Sequence, residues 1–252
     1  MYVGIDIGST ASKAVMMDQS RREIVHKTVI PSGWNSKETA ETLLSWAKEY
    51  SPEFTVTATG YGRVSVDFAD KTVTEISCHA AGAYFLAGRD VTVIDIGGQD
   101  TKVIAQKNGK VQDFLMNDKC SAGTGKFLEV MANRLGLSLA EMFACAERGN
   151  DITLSSTCTV FAESEVISLM GRGTPREDIA RGVINRIVEK TVSLVSKRFS
   201  GNDYFLTGGF CESAFLISLL AAKLNAAVYT SPLGRFAGAI GACLLGPECQ
   251  SR

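Results

Sequence analysis

The sequence has no long apolar run. No stretch of about eighteen or more apolar residues occurs, which excludes a helical membrane span. It has no surplus of charge, with 26 Lys and Arg against 27 Asp and Glu. Nothing basic points to a nucleic acid, and no acidic tail points to a basic partner. Histidine is scarce: His26 and His79 are the only two, far apart and outside any metal motif. No Cys-x-x-Cys occurs, so a metal site built from sequence-local ligands is unsupported. The opening residues lack the charged region, apolar region and cleavage site of a secretion signal, so a cytoplasmic location is expected. Low-complexity linkers are missing as well.

What remains is an ordinary globular composition, 45% apolar and 21% charged over 252 residues. That length suffices for one large domain or two small ones. Seven cysteines stand at 78, 120, 145, 158, 211, 243 and 249. The number is odd and the chain is too long to need staples, so a disulfide framework is not expected. Cys78, Cys145, Cys211 and Cys243 lie in or beside helical patterns and read as packed thiols. Cys249 falls in the tail.

The pattern along the chain is α/β. Strands are expected at 3–6, 13–18, 23–30 and 54–59, with helices at 39–50 and 74–86. Then the opening returns, with strands at 91–95, 101–106 and 111–115. Gly4-Ile5-Asp6-Ile7-Gly8-Ser9-Thr10 aligns with Val93-Ile94-Asp95-Ile96-Gly97-Gly98-Gln99, and Lys13 falls on Lys102. This echo points to two related domains, 1–90 plus 235–252 and 91–234. Helices follow at 125–135 and 139–147, with Ser138 and Glu141 as a capping box. A long helix reaches to about 199. Thr174 is expected as its N-cap, with Pro175 in the first turn and Glu177 completing the box. A strand at 204–207, a helix at 212–224, a strand at 226–230 and a helix at 236–245 close the chain.

The echoed turns suit phosphate. A glycine after the strand lets backbone N–H groups approach an anion. Gly8, Ser9, Thr10, Ala11, Ser12 and Lys13 form the first such turn, with hydroxyl donors and a cation. Gly97, Gly98, Gln99 and Asp100 form the second. Asp6 and Asp95, at the strand ends, can hold the water shell of Mg²⁺. One glycine-rich turn alone reads as a plain tight turn; two echoed turns, each after an acid, read as a nucleotide clamp. A third turn, Thr207-Gly208-Gly209, fits under an adenosine or is simply a turn. Gly238–Ala242 permits close helix packing. Together these motifs resemble the superfamily of acetate and sugar kinases, heat-shock chaperone ATPases and actin. The resemblance implies an α/β, actin-like ATPase with two ribonuclease-H-like domains, ATP or ADP in the cleft and hinged closure.

Two segments are not explained by ATP. Residues 116–125 carry Cys120 and residues 155–165 carry Cys158, each among small polar residues just before a helical pattern. A helix N-terminus favours a thiolate and an anionic cluster. Buried thiols capping helices are the plain alternative. Two thiolates per chain become four in a symmetric dimer, enough for a [4Fe–4S] cluster or for zinc.

Residues 117–127 and 155–166, with Thr59-Gly60-Tyr61-Gly62-Arg63 and Glu75-Ile76-Ser77-Cys78-His79, resemble the BadF/BadG family. Its nearest members are the activators of 2-hydroxyacyl-CoA dehydratases (archerases). The resemblance covers almost the whole chain. It implies a homodimer bridged by one oxygen-sensitive [4Fe–4S] cluster on Cys120 and Cys158. It also implies ATP-driven transfer of one electron to the dehydratase, with ferredoxin or flavodoxin as donor. Benzoyl-CoA reductase or a double-cubane-cluster protein is an alternative acceptor. A small-molecule kinase and a zinc-stapled scaffold are readings of other classes.

Gln99 or Asp100 can orient the attacking water, or merely stabilise the turn. Lys126 and Glu129 share a helix face and can reach a ribose, or form a solvated pair. Glu163 and Glu165 read as first-turn helix acids.

Overall fold

The computed structural model describes residues 1–156, 158–201 and 203–248. Cys249 and Thr157 therefore lie outside the described residues. The chain forms two compact units. One comprises Met1–Val93, Ile104–Phe114 and the described residues from Ser231; the other comprises Ile94–Val103 and Leu115–Thr230. No helix among the described residues is long and apolar enough to cross a membrane.

The chain opens with β1 (Tyr2–Ile7), β2 (Ala11–Met17) and β3 (Ile24–Pro31), then α1 (Ser36–Tyr50) and β4 (Thr55–Thr59). β5 (Lys71–Thr72) and α2 (Glu75–Ala87) follow. The sheet order is β3-β2-β1-β4-β5. β1 runs antiparallel to β2 and parallel to β4, with Asp6 opposite both Lys13 and Thr59. β1 is buried along its whole length, including the charged Asp6 near its end. Val3, Ile5 and Ile7 pack with Ala40, Leu43 and Ala47 of α1. Burying a side chain the size of Leu43 stabilises by about 1.5–3 kcal/mol. α1 starts three residues before the apolar periodicity does, because the Asn35 side chain accepts from the Lys37 amide and caps it there.

The next elements are β6 (Thr92–Ile96), β7 (Thr101–Lys107), β8 (Lys110–Asn117), α3 (Gly125–Leu135) and α4 (Leu139–Arg148). Then come α5 (Thr159–Gly171), α6 (Arg176–Val195), β9 (Asp203–Gly208), α7 (Ala214–Leu224), β10 (Ala227–Tyr229) and α8 (Ala237–Leu245). The second sheet has the order β10-β9-β6-β7-β8. Its core joins Ile94, Ile96 and Val103 to Phe127, Leu128 and Met131 of α3 and to Ile179, Val183 and Ile187 of α6.

The expected cap of the long helix is corrected. Pro175, not Thr174, is the N-cap of α6, with an extended ψ of 137°. Thr174 instead closes α5: its amide donates to the Leu169 carbonyl after Gly173 turns with φ +77°. This is a left-handed helix ending, and it uses the residue that the sequence offers as a cap. The capping box of α4, Ser138 with Glu141, forms as expected.

α2 and α8 cross at very short range. A Cβ at Gly241 would stand 1.8 Å from the Cys78 carbonyl oxygen, and one at Gly82 would stand 1.9 Å from the Ala237 carbonyl oxygen. Only residues without side chains allow this contact.

Candidate functional site

The first turn joins β1 to β2. Asp6 is 2% exposed, while Ser9 and Thr10 at the tip are open to solvent. Lys13 Nζ lies 3.6 Å from Asp6 Oδ2. Gly8 and Ala11 are half-buried. Ser12 faces inward: its hydroxyl shares a 2.8 Å hydrogen bond with Ser32, and Ser32 Oγ donates to the Gly8 carbonyl at 2.6 Å. The Ser32 amide also donates to the Thr10 carbonyl. Ser12 thus braces the turn from behind, whereas Ser9 and Thr10 present their groups outward. Ser32 carries no motif in the sequence, and its role follows only from the loop between β3 and α1.

Asp6 Oδ1 is buried without a hydrogen-bond partner. Such an atom costs about 1–3 kcal/mol unless something satisfies it. The surroundings are cut away to leave the carboxylate room. A Cβ at Gly60, where φ is +88°, would meet Asp6 Oδ1 at 2.4 Å, and one at Gly238 would meet Oδ2 at 2.8 Å. A buried carboxylate with one orphaned oxygen suits the water shell of Mg²⁺.

The second turn repeats the acid but not its surroundings. Asp95 Oδ1 accepts from Thr207 Oγ1 at 2.8 Å, and Lys102 Nζ lies 3.4 Å from Oδ2. Lys102 also donates to Asp100 Oδ1 at 2.7 Å, and is only 1% exposed against 17% for the Lys13 side chain. A buried ammonium is sustained by its carboxylate partners. Asp100 also lies across Gly97, whose amide donates to the Asp100 carbonyl. Gln99 is exposed at the tip. α3 docks directly on this turn, its Gly125 and Lys126 amides donating to the Gly97 and Gly98 carbonyls, both at 2.8 Å. Lys126 and Glu129 are therefore held beside the second turn, 3.3 Å from one another. The third turn closes on the same place. Gly208 has φ +91°, and a Cβ there would meet the Ile96 carbonyl oxygen at 2.4 Å. At Gly209 a Cβ would meet open space.

The described cysteines divide cleanly. Cys78, Cys145, Cys211 and Cys243 are buried; Cys120 and Cys158 are exposed. Burial pushes the Cys78 and Cys243 thiols up to about 12, which suppresses the thiolate. Cys158 is the N-cap of α5, in an extended conformation with no side-chain cap bond. Cys120 stands further from its helix. Thr124 is the N-cap of α3, and the turn Ser121–Thr124, closed by the Thr124 amide and hydroxyl on the Ser121 carbonyl, separates Cys120 from the helix.

The fold brings the two cysteine segments together. Ser121 Oγ and Thr159 Oγ1 share a hydrogen bond of 2.8 Å. Asn117 Nδ2 donates to the Cys120 carbonyl at 2.8 Å. Two exposed thiols on adjoining segments, one at a helix N-terminus, form a donor set suited to a thiolate-bound metal centre.

The two acids of α5 also differ from expectation, since the first turn of α5 holds no acid. Glu163 pairs with Arg134 of α3. Glu165 reaches back over the preceding loop, accepting from the Ser155 amide at 2.8 Å and the Ser156 amide at 2.9 Å. Burial opposes its charge, but these hydrogen bonds outweigh it and hold the carboxyl below its ordinary range. Neither role is visible in a motif. Of the histidines, His26 stacks on Tyr50 with ring centroids 3.8 Å apart, and His79 is buried 3.9 Å from Glu75.

The sequence profile described as the BadF/BadG/BcrA/BcrD ATPase family matches residues 3–246. The (R)-2-hydroxyglutaryl-CoA dehydratase activating ATPase of Acidaminococcus fermentans is 41% identical over 249 residues, 96% of this chain and 95% of that protein. The crystal structure of the Acidaminococcus fermentans (R)-2-hydroxyglutaryl-CoA dehydratase component A superposes with a TM-score of 0.91 at 40% identity, covering 97% of this chain and 96% of that one. An activator of the 2-hydroxyisocaproyl-CoA dehydratase from Clostridium difficile, solved with bound ADPNP, gives 0.89 at 37% identity, covering 96% and 92%. At 15% identity a glucokinase of Streptomyces griseus still superposes with a TM-score of 0.64 over 97% of this chain and 98% of that one, which shows the actin-like ATPase fold alone.

Proposed function

This chain belongs to the BadF/BadG/BcrA/BcrD ATPase family, and from that premise we propose that it is an ATP-driven reductive activator of a 2-hydroxyacyl-CoA dehydratase. In this reading Cys120 and Cys158 of two copies hold one [4Fe–4S] cluster on a two-fold axis. The observation that carries it is the sorting of the thiols. Among the described cysteines only these two are exposed, and the Ser121–Thr159 bond brings their segments together. A kinase of the same fold leaves both unexplained. α5 adds support, since Val160, Phe161, Ile167 and Met170, on the helix that Cys158 opens, are exposed apolar side chains. Such a surface suits an interface with a second copy.

The chain's own residues have distinct tasks. Ser9, Thr10 and the Gly8 backbone offer donors to phosphate, with Lys13 as counter-charge. Asp6 would hold a hydrated Mg²⁺ through its unsatisfied oxygen. Asp95, fixed by Thr207 and Lys102, supplies the second carboxylate. Lys102 engages the Asp100 carboxylate while Gln99 is exposed, so Gln99 is the side chain that orients the attacking water. Lys126 and Glu129 take the ribose, and Gly209 leaves open space for the base. The cluster, when bound, supplies a single electron at low potential. Ferredoxin or flavodoxin would be the electron donor.

The test is metal analysis of protein purified without oxygen, with a Cys120→Ser variant alongside. About four irons and matching sulfide per dimer, lost in the variant, support the proposal. Zinc, or no metal, overturns the electron-transfer role and leaves an ATPase.

A further inference from the structure

Cys158 is delivered by a segment that has little structure of its own. Residues 151–156 form neither helix nor strand, so their amides have no ladder or helix partner and need acceptors from elsewhere. Cys158 itself adds no side-chain cap to α5. Something outside the loop must hold the thiol's position.

Two contacts do so, one on each side of the cysteine. Downstream, Thr159 is tied to Ser121. Upstream, both carboxylate oxygens of Glu165 are used. Oε1 accepts from the Ser155 amide at 2.8 Å and the Ser155 hydroxyl at 3.0 Å, and Oε2 accepts from the Ser156 amide at 2.9 Å. Glu165 lies in the body of α5, between Val166 and Ala162, which are fully buried in the core. A rigid helix therefore grips the loop that ends in its own first residue. Charge-assisted bonds of this kind are shorter and stronger than neutral ones. Groups that orient metal ligands without touching the metal commonly set how tightly it is held.

We propose that Glu165 is the positioning residue for Cys158, fixing the thiol where the cluster needs it. This deepens the cluster reading of the same site and rests on it. Asn117, on the carbonyl of Cys120, is the corresponding hold on the other ligand segment.

The test is iron release to a strong chelator, followed anaerobically on the holoprotein, for wild type, Glu165→Ala, Glu165→Gln and Glu147→Ala. Thermal midpoint and ATP binding are measured on each. Glu165→Ala is expected to release iron about tenfold faster than wild type, or to retain none through purification. Glu165→Gln, which keeps one acceptor oxygen, falls between them. Glu147→Ala, exposed on α4, matches wild type. ATP binding is unchanged throughout, and the electron spin resonance signal of the reduced cluster broadens in the Glu165 variants. Wild-type release by Glu165→Ala overturns the proposal. So does faster release that merely follows a fallen midpoint and lost ATP binding, since that marks a role in the fold. A wild-type protein without iron fails differently, because it removes the cluster reading itself.

Discussion

Ser121 and Thr159 share a 2.8 Å hydrogen bond across 38 positions of sequence. Each immediately follows one of the two cysteines that are exposed among the described residues, so this bond sets the separation of the segments that carry them. A neutral hydrogen bond contributes about 0.5–1.5 kcal/mol net. Ser121→Ala and Thr159→Val are each expected to weaken iron retention several-fold. The double variant is expected to be no worse than either single, because both remove the same bond. Iron content after anaerobic gel filtration reads this directly, and additive losses would contradict it.

Asp6→Asn should separate nucleotide binding from hydrolysis. The amide keeps the shape of the buried group but loses the charge that a hydrated Mg²⁺ requires. ATP hydrolysis is expected to fall by about a hundredfold or more, a loss typical of removing one catalytic electrostatic group. ADP affinity without Mg²⁺ is expected to hold. Steady-state phosphate release and calorimetry measure the two.

Lys102→Met should cost more stability than Lys13→Met. Removing Lys102 takes an ion-pair partner at 3.4 Å from Asp95, which is buried at 2% exposure. Breaking such a pair costs roughly 3 kcal/mol or more. Lys13 also faces a buried carboxylate, Asp6, but at 3.6 Å and with some exposure of its own, so its loss is expected to cost less than that of Lys102 and to affect phosphate binding. Urea midpoints for the two variants make the comparison.

The α2–α8 crossing should tolerate nothing larger than glycine. Gly241→Ala drives a methyl to within 1.8 Å of the Cys78 carbonyl, and the helices must part. Overpacking of this kind costs about 1–3 kcal/mol, and Gly209→Ala, facing open space, should cost far less. Thermal melts of the two proteins are the measurement.

Alkaline pH should destabilise the protein through its buried thiols. Cys78 and Cys243 stay protonated in the fold up to about 12, against an ordinary value of 9.0. Once the pH passes 9, the unfolded chain releases protons that the folded chain keeps. Stability is therefore full below about 9 and falls as pH rises from there towards 12. Cys78→Ala should flatten part of that slope. In peptide-resolved labelling of metal-free protein at pH 8, Cys120 and Cys158 are expected to react while Cys78 and Cys243 stay protected.

Much of this architecture was legible in the chain itself. The apolar runs placed the strands, and the echo of Asp6–Lys13 in Asp95–Lys102 marked two turns that each follow a buried acid. The small polar surroundings of Cys120 and Cys158 set them apart from the helical cysteines. Each is a local signal, because backbone period and turn chemistry act over a few residues. Tertiary structure alone decided the rest. It made Lys102 a buried bridge while Lys13 kept some exposure, turned Ser12 inward onto Ser32, and gave Thr207 to Asp95. It placed a turn between Cys120 and its helix, and set Glu165 to grip the loop before Cys158. Thr207 and Asp95 are 112 positions apart and Ser12 and Ser32 are 20 apart, while the bridge of Lys102 and the turn after Cys120 are close in sequence. These contacts arise from which donors and acceptors the packed core leaves side by side, and no local period records that.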